Sequence, residues 1–142
     1  YASDVSEFYR ALNLALLGIA SISLTVAGVS ILNVMLMSTV ERRGEIGVLR
    51  AVGFHRRHVL RMILAEAAML GVVGGAVGVA ISSLAGLVIF DRILGDAAAV
   101  VHPRVFFYVG LGFGFAVLTA LVSGAYPAWT AASERPVDAL RS

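Results

Sequence analysis

The stretch ALNLALLGIASISLTVAGVSILNVMLMSTV, residues 11–40, decides the fold, because no charged side chain interrupts it. A helix needs about 20 mostly apolar residues to cross the hydrocarbon core of a bilayer. Two later runs also exceed that length: residues 62–90 contain one charged residue, Glu66, and residues 105–133 contain none. With 59% hydrophobic residues and a mean hydropathy of +0.91, the sequence predicts an all-α integral membrane protein with three transmembrane helices.

The arginines predict the orientation of these helices. All eleven Lys or Arg positions are Arg, and six of them lie in the loop at 41–61: Arg42, Arg43, Arg50, Arg56, Arg57 and Arg61. Only Arg92 and Arg104 flank the loop between the second and third runs. Short Arg-rich loops stay on the cytoplasmic side, so we expect the N-terminus outside and the C-terminus inside. Anionic lipid headgroups are an alternative or additional partner for this cluster.

The same pattern sets the expected segments. The transmembrane helices are expected at about 5–40, where the first includes a stalk, at about 57–91 and at about 104–131. A short cytoplasmic helix at about 43–53 separates the first two, and an outer loop at about 92–103 separates the last two. A cytoplasmic tail follows at about 132–142. The first helix would reach about 50 Å against a hydrocarbon core of about 30 Å. We therefore expect its outer end to project beyond the membrane.

The inner loop carries a helical pattern of its own. Ile46, Leu49 and Val52 recur at helical spacing, and Gly53 is placed to end the helix. Such a helix offers an apolar anchor with charged residues around it, which fits insertion in a partner's groove. Resting on lipid is the alternative interpretation.

Small and polar residues inside the apolar runs predict helix contacts. Gly74, Gly78, Ser82 and Gly86 follow each other at four-residue spacing, with Gly71 and Gly75 beside them. Small residues let helix backbones approach closely in lipid, so this ridge is predicted to pack on a helix of this chain or of another. Pro127 is expected to bend or end the third transmembrane helix near the inner face.

Two polar residues lie within the spans. Glu66 is interpreted as an interfacial carboxylate near headgroups and close to Arg57 or Arg61, with an intramembrane proton relay or ion pair as the alternative. Asn33 is expected to form an interhelical hydrogen bond.

Catalytic and metal motifs are missing from the sequence. It has no G-x-x-x-x-G-K-[ST] phosphate loop and no H-E-x-x-H motif, and without cysteine it has no disulfide and no Cys-ligated metal. The three glycines at 110, 112 and 114 lie inside an apolar run, which argues against a phosphate loop. Ser123 is followed by Gly124, but every histidine lies outside the apolar runs. We expect no enzyme activity, no bound metal or cofactor, and no nucleic-acid partner.

Two motifs resemble the FtsX/MacB-type permeases of ABC transporters. The first is ERRGEIGVLRAVGF at 41–54 with LAEA at 64–67, similar to the family's E-R-x-x-E-I-G-[IVL]-[LR]-[KR]-A-[IVL]-G-A and L-x-E-A before a Gly-rich helix. The second is YPAWTAA at 126–132 with RPVDALR at 135–141, similar to P-A-x-x-A-A…x-P-[VI]-x-A-L-R. Phe54, Trp129 and Ser133-Glu134 depart from the pattern.

The resemblance implies a domain and its partners. The family has four transmembrane helices with an extracytoplasmic domain between the first two, so residues 1–142 match its last three helices. We then expect a piece of a longer chain from which the preceding helix and extracytoplasmic domain are missing, with an ATPase either fused upstream or separate. Members are homo- or heterodimers in the bacterial cytoplasmic membrane. Each works with an ATP-binding subunit or domain, which is the component that binds ATP and Mg²⁺.

The resemblance also implies roles for residues. The inner helix becomes a coupling helix that docks on the ATPase, through Arg43, Glu45, Ile46, Gly47, Leu49, Arg50 and Gly53. The tail motif contributes Pro127, Pro136, Leu140 and Arg141. In the MacB-like branch, ATP-driven movement of the helices passes along the stalk to the outside, which is mechanotransmission for export or extraction of a substrate.

Two other functions stay open. Some FtsX-like members regulate cell-wall hydrolases instead of transporting. An ion-coupled carrier would need charged groups at mid-membrane, and two of the three runs have none. The sequence leaves the substrate unidentified.

Overall fold

The structure, a computed structural model, describes residues 2–94 and 103–133 and folds them into four helices. They are α1 (Ala2–Glu41), α2 (Arg43–Ala51), α3 (Arg56–Leu94) and α4 (Pro103–Ser133). The prediction of an all-helical protein is confirmed for this part of the chain, since α1, α3 and α4 are each long and apolar enough to cross a membrane. Most of the expected outer loop and tail lies outside the described residues, as do Pro136, Leu140 and Arg141.

Helices α3 and α4 form an antiparallel pair along a seam of small residues. On α3, Ala67, Gly71 and Gly75 are buried at four-residue spacing. They face Gly124, Ala120 and Ala116 of α4 in reverse order, so that a methyl group added to any of the glycines would press on α4 or α3. The absence of side-chain bulk on both helices brings the backbones together, which is how helices associate where lipid removes the hydrophobic drive.

Helix α1 packs on α4 only over its C-terminal part. Gly28 is buried against Thr119 and Ser123 of α4, and Met35 is almost fully buried nearer the C-terminal end. From residue 4 to residue 27, in contrast, every α1 side chain is exposed. The N-terminal half of α1, which is its outer half in the predicted orientation, therefore has an apolar surface with no cover from the described parts of this chain.

Three hydroxyl groups at exposed positions of α1 are satisfied within the helix itself. Ser21 donates to the Leu17 carbonyl at 2.7 Å, Thr25 to the Ser21 carbonyl at 2.8 Å and Ser30 to the Val26 carbonyl at 2.9 Å. Polar groups without partners are costly in hydrocarbon. Back-bonding to the preceding turn makes this face compatible with lipid.

Pro127 does not end α4, which continues to Ser133. The proline is fully buried where the helices converge. Proline removes one backbone hydrogen bond, but burial of its ring and of the following alanines Ala128, Ala131 and Ala132 holds the last turns in place. Of the two expected effects of this proline, an end of the helix is not seen, and a bend stays a prediction.

Candidate functional site

Helix α2 ends in a glycine cap. Gly53 has φ +105°, a left-handed conformation that costs a residue with a Cβ. Its N–H donates to the Arg50 carbonyl at 3.2 Å, and the Phe54 N–H donates to the Leu49 carbonyl at 3.1 Å. These two bonds form a Schellman motif. Gly53 ends the helix as the sequence predicts, and the turn leads directly into α3.

The α2–α3 turn is also fixed by aromatic contact. The rings of Phe54 and His58 meet edge to face with centroids 5.9 Å apart, and the His58 N–H donates to the His55 carbonyl at 2.9 Å. Phe54, which departs from the family's usual small residue, thus has a structural role here. The turn holds the C-terminal end of α2 beside the start of α3.

One face of α2 is buried in the bundle. Ile46 is 7% exposed and Gly47 beside it is also buried. Ile46 joins a cluster to which all four helices contribute: Met35 from α1, Val59, Ile63 and Ala67 from α3, and Ala128, Ala131 and Ala132 from α4. The side chain that the sequence offered as an anchor for a partner is therefore used to attach α2 to its own bundle.

The opposite face of α2 is exposed. Glu45 points outward with Val48, which is 53% exposed, and Val52, which is 77% exposed. Leu49 and Arg50 lie at the boundary and are half-buried, while Arg43 is exposed. The predicted stripe of Ile46, Leu49 and Val52 is thus divided, with Ile46 inside and Val52 outside. We call Glu45, Val48 and Val52 the outward face of α2.

An ion pair links α3 to the junction between α1 and α2. The Arg42 Nη1 and Glu66 Oε2 atoms are 3.9 Å apart, with the side chains 56% and 42% exposed. The sequence suggested Arg57 or Arg61 as neighbours of Glu66, and the structure adds Arg42 as its ion-pair partner. Arg42 was missed because it lies far from Glu66 along the chain, and only the packing of α2 brings them together.

The ridge of Gly74, Gly78, Ser82 and Gly86 contacts no other helix closely within the described residues. A Cβ built on Gly74, Gly78 or Gly86 would meet nothing within 4 Å. The packed glycines are Gly71 and Gly75, which the sequence places beside that ridge. Packing of the ridge on a helix of another chain stays a prediction.

Asn33 is exposed on α1 and makes no hydrogen bond to another helix among residues 2–94 and 103–133. Its predicted interhelical bond is not formed there, and a bond to another chain stays a prediction. Within the same ranges, no three His, Asp or Glu side chains cluster in a way that would hold a metal ion.

Three long apolar helices, the first two linked by a short amphipathic helix with a buried and an exposed face, are the architecture of a multi-pass membrane protein. The chain belongs to the FtsX-like permease family: the model of the FtsX-like permease C-terminal domain matches residues 17–136. The matched residues include α2, the glycine seam and Pro127. The resemblance stated from the two motifs is therefore confirmed.

Relatives carry the same region within longer chains. The chain is 40% identical over 132 residues to a macrolide export ATP-binding/permease protein, MacB, of Bdellovibrio bacteriovorus, covering 93% of this chain and 20% of that protein. It is 44% identical over 131 residues to a pyoverdine export ATP-binding/permease protein, PvdT, of Pseudomonas aeruginosa, covering 92% of this chain and 19% of that protein. This chain spans about a fifth of the length of these curated relatives.

Proposed function

We propose that this chain is the membrane-spanning permease part of an ABC exporter in the bacterial cytoplasmic membrane. Its outward face of α2 docks on an ATP-binding subunit or domain, which binds ATP and Mg²⁺ and performs the hydrolysis. The relatives' names join an ATP-binding part to a permease part, and the region shared with this chain is the permease part. The proposal gives this chain a mechanical role and no catalytic one.

The division of α2 into two faces is the observation that carries the proposal. Val48 and Val52 are exposed next to six arginines of the 41–61 loop, where the chain meets water and headgroups. Exposed apolar residues beside an exposed acidic residue, Glu45, are typical of a helix that inserts in a partner's groove. The buried Ile46 meanwhile ties this helix to α1, α3 and α4.

That attachment supplies a route for movement. A push on α2 displaces Ile46, which contacts the same buried cluster as Met35 of α1 and Ala128 of α4. Close-packed clusters transmit displacement because they have little free volume. The outer half of α1, which has no cover from the described parts of the chain, is then the segment free to carry the motion outward as a stalk.

The same geometry accommodates the other expected partners. A second permease copy is proposed to cover part of the exposed outer half of α1, as a homo- or heterodimer.

Arg57 and Arg61 lie one turn apart at the inner end of α3, and no acidic side chain of the described residues pairs with them. Anionic headgroups are proposed to bind there.

An ion-coupled carrier is disfavoured by the position of Glu66. It is the one charged residue inside the three apolar runs, and its carboxylate lies beside Arg42 at the inner end of the bundle. A relay would need further ionisable groups across the membrane. The cell-wall regulator would use the same α2 docking, so the tests of α2 apply to it equally.

The substitution Glu45→Lys tests the docking in the full-length protein with its ATPase in proteoliposomes. Charge reversal opposite a partner's surface costs several kcal/mol, so we expect ATP hydrolysis to lose its dependence on the permease while membrane insertion stays normal. The matched control is Asp91→Lys, a charge reversal of an exposed acidic residue at the far end of α3. Normal coupling in Glu45→Lys would overturn the docking proposal.

A further inference from the structure

Glu66 is the one charged residue within the apolar run at 62–90, which forms most of α3. Burying a carboxylate in an apolar helix is costly, yet α3 carries one where its other neighbours are Ala65 and Ala67. The side chain is partly covered and points to Arg42, with the Nη1 to Oε2 distance at 3.9 Å. The charge therefore serves a contact between α3 and the segment that joins α1 to α2.

Arg42 is the elbow between those two helices. It is the single residue between α1 (Ala2–Glu41) and α2 (Arg43–Ala51), with φ −95° and ψ 12°. Backbone bonds continue on both sides of it: its N–H donates to the Ser38 carbonyl at 3.2 Å, and the Ile46 N–H donates to its carbonyl at 3.0 Å. The elbow is thus a small departure from one continuous helix, and a small rotation at Arg42 would change the direction of α2.

No side chain caps the start of α2, since Arg42 makes no capping hydrogen bond. The elbow angle is therefore set by contacts that α2 and Arg42 make with the rest of the bundle. Ile46 supplies one such contact, in the buried cluster. The Arg42–Glu66 pair supplies another contact, which joins α3 to the elbow itself.

An ion pair as exposed as this one adds little to the free energy of unfolding. Its effect is on geometry: it selects one elbow angle among several of similar energy. Reversing either charge places like charges side by side, which favours a different angle without removing any apolar packing.

We propose that Arg42 and Glu66 are a positioning pair that fixes the angle of α2 relative to α3, so that a push on the outward face of α2 reaches the bundle instead of bending the elbow. The inference rests on the proposed docking of α2. It assigns to the carboxylate of α3 a mechanical function and no role in moving protons.

A charge swap tests the pair. In the full-length protein with its ATPase, the variants are Arg42→Glu, Glu66→Arg and the double swap, with Arg92→Glu and Asp91→Arg as matched charge reversals at exposed positions of the far end of α3. We expect each single variant to lower the substrate exported per ATP hydrolysed by about threefold or more, as contacting residues couple. The double swap should recover most of that loss.

A distance measurement separates this role from general destabilisation. The described chain has no cysteine, so spin labels at Ala51 and Met69, both exposed, report the angle between α2 and α3 by pulsed electron resonance. The single reversals should broaden or shift the distance distribution, and the double swap should restore it. The two outer controls should leave both the distribution and the export ratio unchanged.

Failure of this inference is distinguishable from failure of the docking. If Glu45→Lys uncouples the ATPase but the Arg42 and Glu66 variants keep a normal export ratio and distance distribution, the pair has no positioning role. A double swap that is no better than the single variants also overturns it. If Glu45→Lys couples normally, the docking itself is wrong.

Discussion

Replacing Gly71 or Gly124 by Ala adds one methyl group at the contact between α3 and α4, and so tests the packing that supports the site. A Cβ on Gly124 would lie 2.5 Å from the Ala67 Cβ. A Cβ on Gly71 would lie 2.8 Å from the Ala120 Cβ and 2.9 Å from the Val117 Cα. Neither contact is with the flexible end of a long side chain, so Gly71→Ala and Gly124→Ala must separate the two helices.

The size of the effect follows from two opposing contributions. Overpacking a filled interior costs about 1–3 kcal/mol, while replacing helical Gly by Ala returns about 0.5–1 kcal/mol. We expect Gly71→Ala and Gly124→Ala each to lower the free energy of unfolding by about 0.5–2 kcal/mol. Gly74→Ala and Gly78→Ala are matched controls on the same helix, where the new Cβ meets nothing within 4 Å, and they should not destabilise the monomer.

The assay is reversible unfolding of the monomeric protein in mixed micelles, followed by circular dichroism. The double variant Ala67→Gly with Gly124→Ala moves the methyl group from one side of the contact to the other and should regain stability relative to Gly124→Ala alone. A monomer in which Gly74→Ala costs as much as Gly71→Ala would refute the assignment of the seam. An effect of Gly74→Ala that appears only in the dimer would support packing of that ridge on a second chain.

Two further substitutions probe how α2 is held. Gly53→Ala places a Cβ at φ +105°, which costs about 1–2 kcal/mol. We expect a lower unfolding temperature and faster hydrogen exchange of the amides at the C-terminal end of α2. Unchanged exchange at these amides would contradict the role of Gly53 as the cap. Ile46→Ala removes a buried side chain and should cost about 2–5 kcal/mol, whereas Val48→Ala on the outward face should cost under about 0.5 kcal/mol. Equal costs for the two, measured by the same unfolding assay, would mean that α2 is not anchored through Ile46.

The transmembrane helices were predictable because length and composition decide them. Runs such as 11–40 exceed the thickness of the bilayer whichever way the helix is rotated, so no knowledge of neighbouring helices is needed. The end of α2 was predictable for a similar reason, since the Schellman turn depends on one local residue, Gly53. Both features are fixed by nearby sequence.

Which face of α3 and which face of α2 are buried could not be predicted from the sequence. Gly71 with Gly75 and Gly74 with Gly78 have the same four-residue spacing, and only the position of α4 decides which of the two lines is buried. Ala116, Ala120 and Gly124 on α4 repeat that spacing and would have indicated the partner line. In the same way, the helical period of α2 groups Ile46 with Val52, but contact with the bundle separates them.

Contact between α2 and the ATP-binding partner is tested most directly by a photoreactive amino acid at position 48, in the assembled complex with its ATPase. Mass spectrometry of the adducts should map position 48 to the ATP-binding subunit or domain. The same probe at position 73, an exposed valine in the middle of α3, should give none. The account would be contradicted if position 48 formed no adduct with the ATP-binding subunit or domain. It would also be contradicted if a membrane-impermeant reagent labelled a cysteine at position 48 from outside intact cells.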